Sequence, residues 1–298
     1  MKAPIAIFAY KRYLHLKRTI ESLLENPSAA EHELFIFCDG ARSETERDAV
    51  NKTREFARAV KGFKKNTVIE SEKNLGLANS VTSGVTKILK NYDSVIVLED
   101  DMLVAPGFLD YMDTALELYR GDDRVISIHA YIYPIKEKLP DTFFLMGADC
   151  WGWGTWRRGW NLFNPDGAYL LEKLKEKKLV RRFDFDGAKS YSGMLEGQIR
   201  GEIDSWAVRW YASALLAGKL TLYPGKSLLQ NIGNDSSGAN SVDSIIYDVE
   251  PYSGTVKVGD APLSEDKKAY EQFRKYFLSV KSGFIKRCCE FIIRKIKR

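Results

Sequence analysis

Val95-Ile-Val-Leu-Glu-Asp-Asp-Met-Leu-Val-Ala-Pro-Gly-Phe-Leu-Asp-Tyr-Met112 is the stretch that decides the fold. An unbroken apolar run of strand length ending in three carboxylates reads as a strand covered on both faces, with charge at its carboxyl end. Pro106 suits the first turn of a helix running to about Tyr119. Outward from this point, strand and helix patterns alternate. Ala3–Tyr10, Glu33–Cys38, Thr67–Glu70, Ser94–Leu98 and Val125–His129 read as strands. Between them Leu16, Ile20, Leu23 and Leu24, and later Leu77, Val81, Val85 and Ile88, recur at helical spacing. Ser43-Glu-Thr-Glu46 opens a polar helix with a capping side chain. Helices interposed between short apolar strands imply a doubly wound α/β fold with a mostly parallel sheet, whose ligands lie at the carboxyl ends of the strands.

Three places at that edge carry chemistry: Tyr10-Lys11-Arg12, Cys38-Asp39-Gly40 and Glu99-Asp100-Asp101. Two like charges about 4 Å apart repel by roughly 4 kcal/mol at an effective dielectric near 20, so something positive should face the triplet. Oxygen ligands select Mg²⁺ or Mn²⁺, ions that keep coordination positions open for substrate phosphates. The alternatives are capping of the helix near Pro106 and pairing with nearby Lys or Arg; Pro106 lies too far along the chain for all three acids to cap it.

Composition narrows the field. Hydrophobic residues make up 45% of 298, and Gly and Pro number only 22 and 9, which excludes disordered and collagenous classes. No apolar run approaches the ~18 to 20 residues of a membrane span, and the first run reads as a strand rather than a secretory segment. The cysteines at 38, 150, 288 and 289 form no disulfide framework and suggest a reducing compartment. The formal charge is 45 − 40 = +5, yet residues 279–298 hold seven Lys/Arg against Glu290, leaving −1 for the rest. Nucleic-acid binding is therefore not expected. In that tail Phe284, Ile285, Cys288, Phe291, Ile292 and Ile296 recur at helical spacing among cations. A basic amphipathic helix of this kind suits an anionic membrane surface, at about 1 kcal/mol per cation; the alternative is a helix docked on its own domain.

Neither Gly-x-Gly-x-x-Gly after the first strand nor a P-loop occurs, and there is no Gly-x-Ser-x-Gly elbow. The segment from Val95 to Met112 instead resembles the metal-binding stretch of N-acetylglucosaminyltransferase I and its bacterial relatives, inverting GT-A enzymes that use nucleotide sugars. The likeness covers the acidic triplet, Val104-Ala-Pro106 and the aromatic helix after it. It extends to AIFAYKR, FCDG and NLGLANSVTSGV, and more weakly through MGADCWGWGTW and IDSWAVRW to about residue 240. The resemblance implies a GT-A, Rossmann-like sheet with an acceptor-side α+β half. It implies that Asp101 binds Mn²⁺ or Mg²⁺ directly while Glu99 and Asp100 face donor sugar and ribose. Asp39 would contact uracil or ribose; Arg12 and the backbone from Phe8 to Tyr10 would flank the nucleotide, and Asn79 and Ser80 fall near it. A turn role for Asp39 and a solvated charge for Arg12 are the alternatives.

Four of the six tryptophans lie in CWGWGTWRRGW and two in DSWAVRW. Such clustering suggests a sugar-binding surface that includes Trp151, Trp153 and Trp206, with an aromatic core as the alternative. Gly152 and Gly154 argue for close backbone approach. Inverting transfer needs a base on the acceptor side. In the resembling family an acidic pair precedes Trp at the place held here by Asp204-Ser205-Trp206, which makes Asp204 the candidate and Glu202 its rival; pairing with Arg209 is the structural alternative. In residues 231–244, eleven of fourteen are Gly, Ser, Asn or Asp, a composition that should be mobile without ligand. A closing loop over the donor, with Ser236 among its contacts, is expected here, against an idle surface loop.

The expected organisation is a nucleotide-sugar-binding half over 1–130, an acceptor-binding half over 131–262 and a basic helical tail over 263–298. The expected activity is metal-dependent, inverting transfer from a nucleotide sugar, UDP-linked, to a glycan or lipid-linked saccharide in surface polysaccharide synthesis. The enzyme would work in the cytoplasm on the inner face of the membrane. A sugar nucleotidyltransferase and a non-enzymatic glycan-binding module are the rival readings. The first lacks its Gly-rich turn, and the second leaves the acidic triplet unexplained.

Overall fold

The computed structural model describes residues 2–235 and 245–296, with side chains as far as Lys281. In chain order the elements are β1 (Ile5–Ala9), α1 (Tyr13–Leu24), β2 (Glu33–Cys38), α2 (Arg47–Ala59), β3 (Lys65–Glu70), α3 (Leu77–Leu89), β4 (Ser94–Glu99), β5 (Met102–Val104) and α4 (Phe108–Leu118). There follow β6 (Val125–His129), β7 (Thr142–Met146), β8 (Trp153–Trp156), α5 (Arg157–Trp160), α6 (Gly167–Glu176), α7 (Val180–Phe183), α8 (Tyr191–Ile199), α9 (Trp206–Leu216), β9 (Leu220–Pro224), β10 (Leu229–Asn231) and α10 (Lys267–Ile296). One eight-stranded sheet runs in the order β3-β2-β1-β4-β8-β6-β9-β7, and β5 pairs with β10 in a separate ribbon.

The sheet is α/β and mostly parallel as expected, with two strands reversed: β8 lies antiparallel between β4 and β6, and β7 antiparallel on the far edge. Alternation along β1 builds both layers. Ile5, Ile7 and Ala9 face α1 and α4, packing with Leu16, Ile20, Leu23, Phe108 and Met112. Ala6 and Phe8 face α3 and α9, with Val81, Val85, Trp206 and Trp210. A sheet buried on both faces needs apolar strands without polar alternation, as Val95–Leu98 provides, all at 1% exposure or less. The helical spacings place Leu16, Ile20 and Leu23 inside, while Leu24 stays 40% exposed. Ser43 makes no capping bond; it precedes a short 3-10 turn and its hydroxyl meets Thr45 at 2.8 Å.

A further apolar cluster joins β7 and β9 to α6, α8, α9 and the start of α10, through Phe143, Leu171, Leu195, Tyr211, Tyr223 and Phe273. The tail helix is thus anchored at its beginning: Ala269, Phe273 and Phe277 are buried. No described helix is long and apolar enough to cross a membrane.

Gly154 answers to its place in β8. A Cβ there would meet Met112 Cε at 2.9 Å and the Val95 carbonyl at 3.3 Å, so any larger residue would have to shift the Met112 side chain and crowd β4.

Candidate active site

The acidic triplet stands where the apolar run of β4 ends. Helix α4 begins at Phe108 with Gly107 as its N-cap, so the triplet does not cap it. Two of the three carboxylates are instead held by Arg12, from the turn between β1 and α1. Its Nη2 donates to Asp100 Oδ1 and, at 2.6 Å, to Asp101 Oδ2. The positive charge anticipated at the triplet is therefore supplied from within the chain, and Arg12 is neither a solvated charge nor a free contact for a nucleotide. Burial works against its charge, but Asp100 and Asp101 outweigh that and hold its pKa above the ordinary value.

The pair leaves part of the charge unmatched. Loss of water, followed by the charges of Asp101 and Asp100, pushes Glu99 up to about 8. Burial likewise pushes Asp100 up to about 6, with Arg12 opposing it. Asp101 Oδ1 is buried without a hydrogen-bond partner among the described residues. An orphaned carboxylate oxygen on an all-oxygen rim fits a hard divalent cation. Among the described residues, however, no three metal-ligating side chains converge. A cation there would take most of its ligands from phosphate and water, as Mg²⁺ commonly does.

A cavity of about 110 Å³ opens beside the triplet, bounded by Phe8, Tyr10, Arg12, Asp39, Glu99 and Asp100. The structure thus brings together six residues that sequence alone singled out. Phe8 stacks on Phe37 at 4.9 Å. The Tyr10 hydroxyl donates to Glu46 and accepts the Arg42 N–H at 3.0 Å. Asp39, 7% exposed, accepts N–H bonds from Gly40 at 2.9 Å, Leu75 at 2.8 Å and Gly76 at 3.0 Å. It is more than a turn residue: it ties the end of β2 to the approach to α3. Asn79 does not join the cavity; it is exposed and donates to the Leu75 carbonyl. Ser80 takes its place in the wall, alongside Arg42 and Asn74, which the sequence did not flag. Arg42 Nε donates to Asn74 Oδ1 at 3.1 Å, a pairing across 32 residues that no local motif announces.

Asp204 comes to the same rim. Its Oδ2 lies 3.0 Å from where a Cβ on Gly76 would sit, and Gly76 lines the cavity. Among the described residues no ion pair joins Asp204 to Arg209, whose guanidinium donates to the carbonyls of Ser205 and Pro165 instead. Glu202 is not brought to the rim: it is exposed and doubly bonded to Arg200 at 2.8 Å. Ser205 spends its hydroxyl on the N-terminus of α9, accepting from Val208 N–H at 3.3 Å.

The tryptophans divide. Trp153 and Trp206 are 1% and 2% exposed and stack at 5.3 Å, with Trp160 and Trp210 packed around Trp153. They form core where α9 covers the sheet, so the expected platform loses both of them. Trp151 remains half-buried beside Tyr247, ring centroids 5.5 Å apart. Ser236 and the rest of 236–244 lie outside the described residues.

A sequence model described as the GNT-I family matches residues 1–144, which take in the triplet, Arg12 and Asp39. A curated relative, the alpha-1,3-mannosyl-glycoprotein 2-beta-N-acetylglucosaminyltransferase of Arabidopsis thaliana, is 26% identical over 204 residues, covering 61% of this chain and 44% of the relative. The chain thus spans less than half of that protein's length. Both agree with the resemblance read from Val95–Met112 and its flanks. Among solved structures, S. aureus TarS 1-349 overlays with a TM-score of 0.43 at 12% identity, over 77% of this chain and 60% of that one. The mannosyltransferase PcManGT from Pyrobaculum calidifontis, in complex with GDP-Man and Mn²⁺, overlays with a TM-score of 0.32 at 13% identity, over 46% and 37%. Overlays this loose say nothing about chemistry.

Proposed function

We propose that the chain is a glycosyltransferase that moves a sugar from a nucleotide donor, UDP-linked, to a hydroxyl of a glycan or lipid-linked saccharide, with inversion. The observation that carries this reading is the acidic triplet at the carboxyl end of β4, of which Glu99 and Asp100 line a cavity with Phe8, Tyr10 and Asp39 while Asp101 follows them in the chain. The GNT-I match over the same residues supports it. The backbone from Phe8 to Tyr10 flanks the cavity, and Asp101 with its orphaned oxygen is the residue that would hold a divalent cation. Bound with the nucleotide, Mn²⁺ or Mg²⁺ would supply charge to stabilise the departing diphosphate.

Arg12 offsets part of the charge of Asp100 and Asp101, to which its Nη2 is committed. Asp204, unpaired at the rim, takes the proton from the acceptor hydroxyl as the anomeric carbon is attacked. A role in surface polysaccharide synthesis at the cytoplasmic face of the membrane is proposed from the sequence of the basic tail.

The test is UDP binding by calorimetry with and without Mn²⁺, followed by a nucleotide-sugar panel scored for UDP release. Mn²⁺-dependent UDP binding that disappears in Asp101→Ala, with release from at least one donor, supports the reading. UDP affinity unchanged by the metal and by the substitution overturns it.

A further inference from the structure

A second, larger cavity of about 380 Å³ lies on the acceptor side, within the range of small-molecule sites. Its wall is aromatic: Trp151 and Tyr247 meet edge to face at 5.5 Å, and Tyr191 and Tyr211 at 5.0 Å. Four polar side chains break that shell: Asp149, Lys189, Ser205 and Asn234. Asn234 Nδ2 is buried with no hydrogen-bond partner among the described residues. Asp149 accepts the N–H of Cys150 at 2.8 Å, and the basic group within 4.0 Å of it among the described residues is His129, at 3.9 Å. His129 does not neutralise it. Its Nε2 already accepts the Trp151 N–H at 3.1 Å, and burial lowers its pKa. Lys189 stays in the wall, its Nζ 3.3 Å from the Tyr247 hydroxyl and 5.4 Å over the Phe277 ring. The cavity therefore presents a carboxylate that bonds Cys150 and has no basic group within 4.0 Å among the described residues other than His129 with its lowered pKa. It also presents an amide donor without a partner among the described residues. Both stand inside aromatic walls, and the mechanism above uses neither.

No residue lines both cavities, but near the acidic rim lie three that line this one. Cys150 lines it, and its thiol is pushed up by burial and then by the charges of both Asp149 and Glu99. Ser205 lines it too, beside Asp204 on the rim. Asn234 follows Gly233, which sits so close to the triplet that a Cβ there would fall 2.0 Å from Asp101 Oδ2. A ligand in the aromatic cavity would thus have its nearest groups at the acidic rim.

Resting on the transferase reading, we propose that this cavity is the subsite for one uncharged pyranose ring of the acceptor, with Asp149 receiving hydrogen bonds from its hydroxyls and Asn234 donating to one of them. A pyranose matches the chemistry on both counts. Its C–H faces lie against aromatic planes, and its hydroxyls both donate and accept. Asp149 and Lys189 bring opposite charges to the wall, which suits an uncharged ring better than a sulfated, phosphorylated or uronic one. A hydrocarbon chain would fill the aromatic shell but leave both polar groups desolvated and unpaired.

The experiment uses the full chain and saturation-transfer NMR with methyl glycosides of mannose, glucose, galactose and N-acetylglucosamine. Glucuronic acid and a farnesyl alcohol probe are the counter-ligands, and UDP with Mn²⁺ the control for the donor site. The expected result is a response to at least one methyl glycoside that weakens at least tenfold in both Asp149→Asn and Trp151→Leu. UDP binding and melting temperature should be unchanged in Asp149→Asn, and glycoside binding unchanged in Glu202→Gln. Glycoside binding that survives Asp149→Asn overturns the assignment, as does a response confined to the farnesyl or glucuronate probe. UDP binding without any glycoside response overturns the subsite alone and leaves the transferase standing. Loss of both in the native chain sinks the two readings together.

Discussion

Arg12 Nη2 bridges two neighbouring carboxylates, reaching Asp101 Oδ2 at 2.6 Å while also gripping Asp100 Oδ1. All three side chains are at most 16% exposed, so the bridge is a buried one whose partners cannot be stranded cheaply. Arg12→Leu should cost about 3–5 kcal/mol in urea unfolding, because it strands two acids out of water. Millimolar Mn²⁺ should recover part of that loss in Arg12→Leu and none in Arg12→Leu/Asp101→Ala. An Arg12→Leu protein as stable as the native one would show that the bridge carries no weight.

Asp204 and Glu202 sit two residues apart in sequence and part company in space. Asp204→Asn should lower turnover by about 10²–10⁴ at unchanged UDP affinity, the usual contribution of a positioned base. Glu202→Gln, which gives up only an exposed pair with Arg200, should stay within twofold of native turnover. Equal losses in the two variants would remove Asp204 from the chemistry.

Trp153→Ala and Trp151→Ala should fail in different ways. Trp153 is 1% exposed amid other indoles, so its truncation should cost about 3–5 kcal/mol, read as a fall in melting temperature. Trp151→Ala should melt closer to native while losing acceptor affinity, visible as a raised KM for acceptor with the donor KM unmoved. Matching stability losses would place both rings in the core.

His129 should make the fold acid-sensitive. Buried at the end of β6 against Asp149 and Tyr223, it is held below its ordinary pKa of 6.5 by loss of water. Below that value the unfolded chain takes up a proton that the folded chain refuses. The contribution is therefore complete above about pH 6.5 and lost as pH falls toward the folded pKa. Melting temperature should drop between pH 7 and 5.5 more steeply in the native chain than in His129→Gln; parallel slopes would exonerate the imidazole.

The tail yields a separable prediction. Removing residues 282–298 should reduce sedimentation with anionic vesicles while activity on a soluble acceptor persists. Cutting back through Phe273 should unfold the acceptor side, because that ring is 1% exposed. Undiminished vesicle binding after the short truncation would end the membrane proposal.

What could be read in advance follows physical range. Strands β2 and β6 were legible to the residue because apolar runs and turn residues are local signals, and the triplet was legible because three acids after a buried strand have few innocent uses. The reversal of β8 was not: WGWGTW carries no mark of strand direction, which is set by pairing with β4 and β6. The tryptophans misled for a related reason, since a ring suited to stacking a sugar is equally suited to stacking another indole. Arg12 was found but its partner was not, because its carboxylates lie 88 and 89 residues away. Asp149 passed unnoticed, a single acid that only the fold surrounds with aromatic rings.

Strand β8 enters the sheet beside the carboxyl end of β4, with Trp153 paired to Val97 on one side and His129 on the other. Between Asp149 and that first ladder rung lie only Cys150, Trp151 and Gly152. The segment acts as a spacer of fixed length between Asp149 in the acceptor-side cavity and the ladder of β8. One inserted residue would slide everything before it by about 3.4 Å and turn the alternation inside out. Chains diverging from this one toward new acceptors are thus free to exchange side chains along the spacer, whereas insertions and deletions within it should be purged.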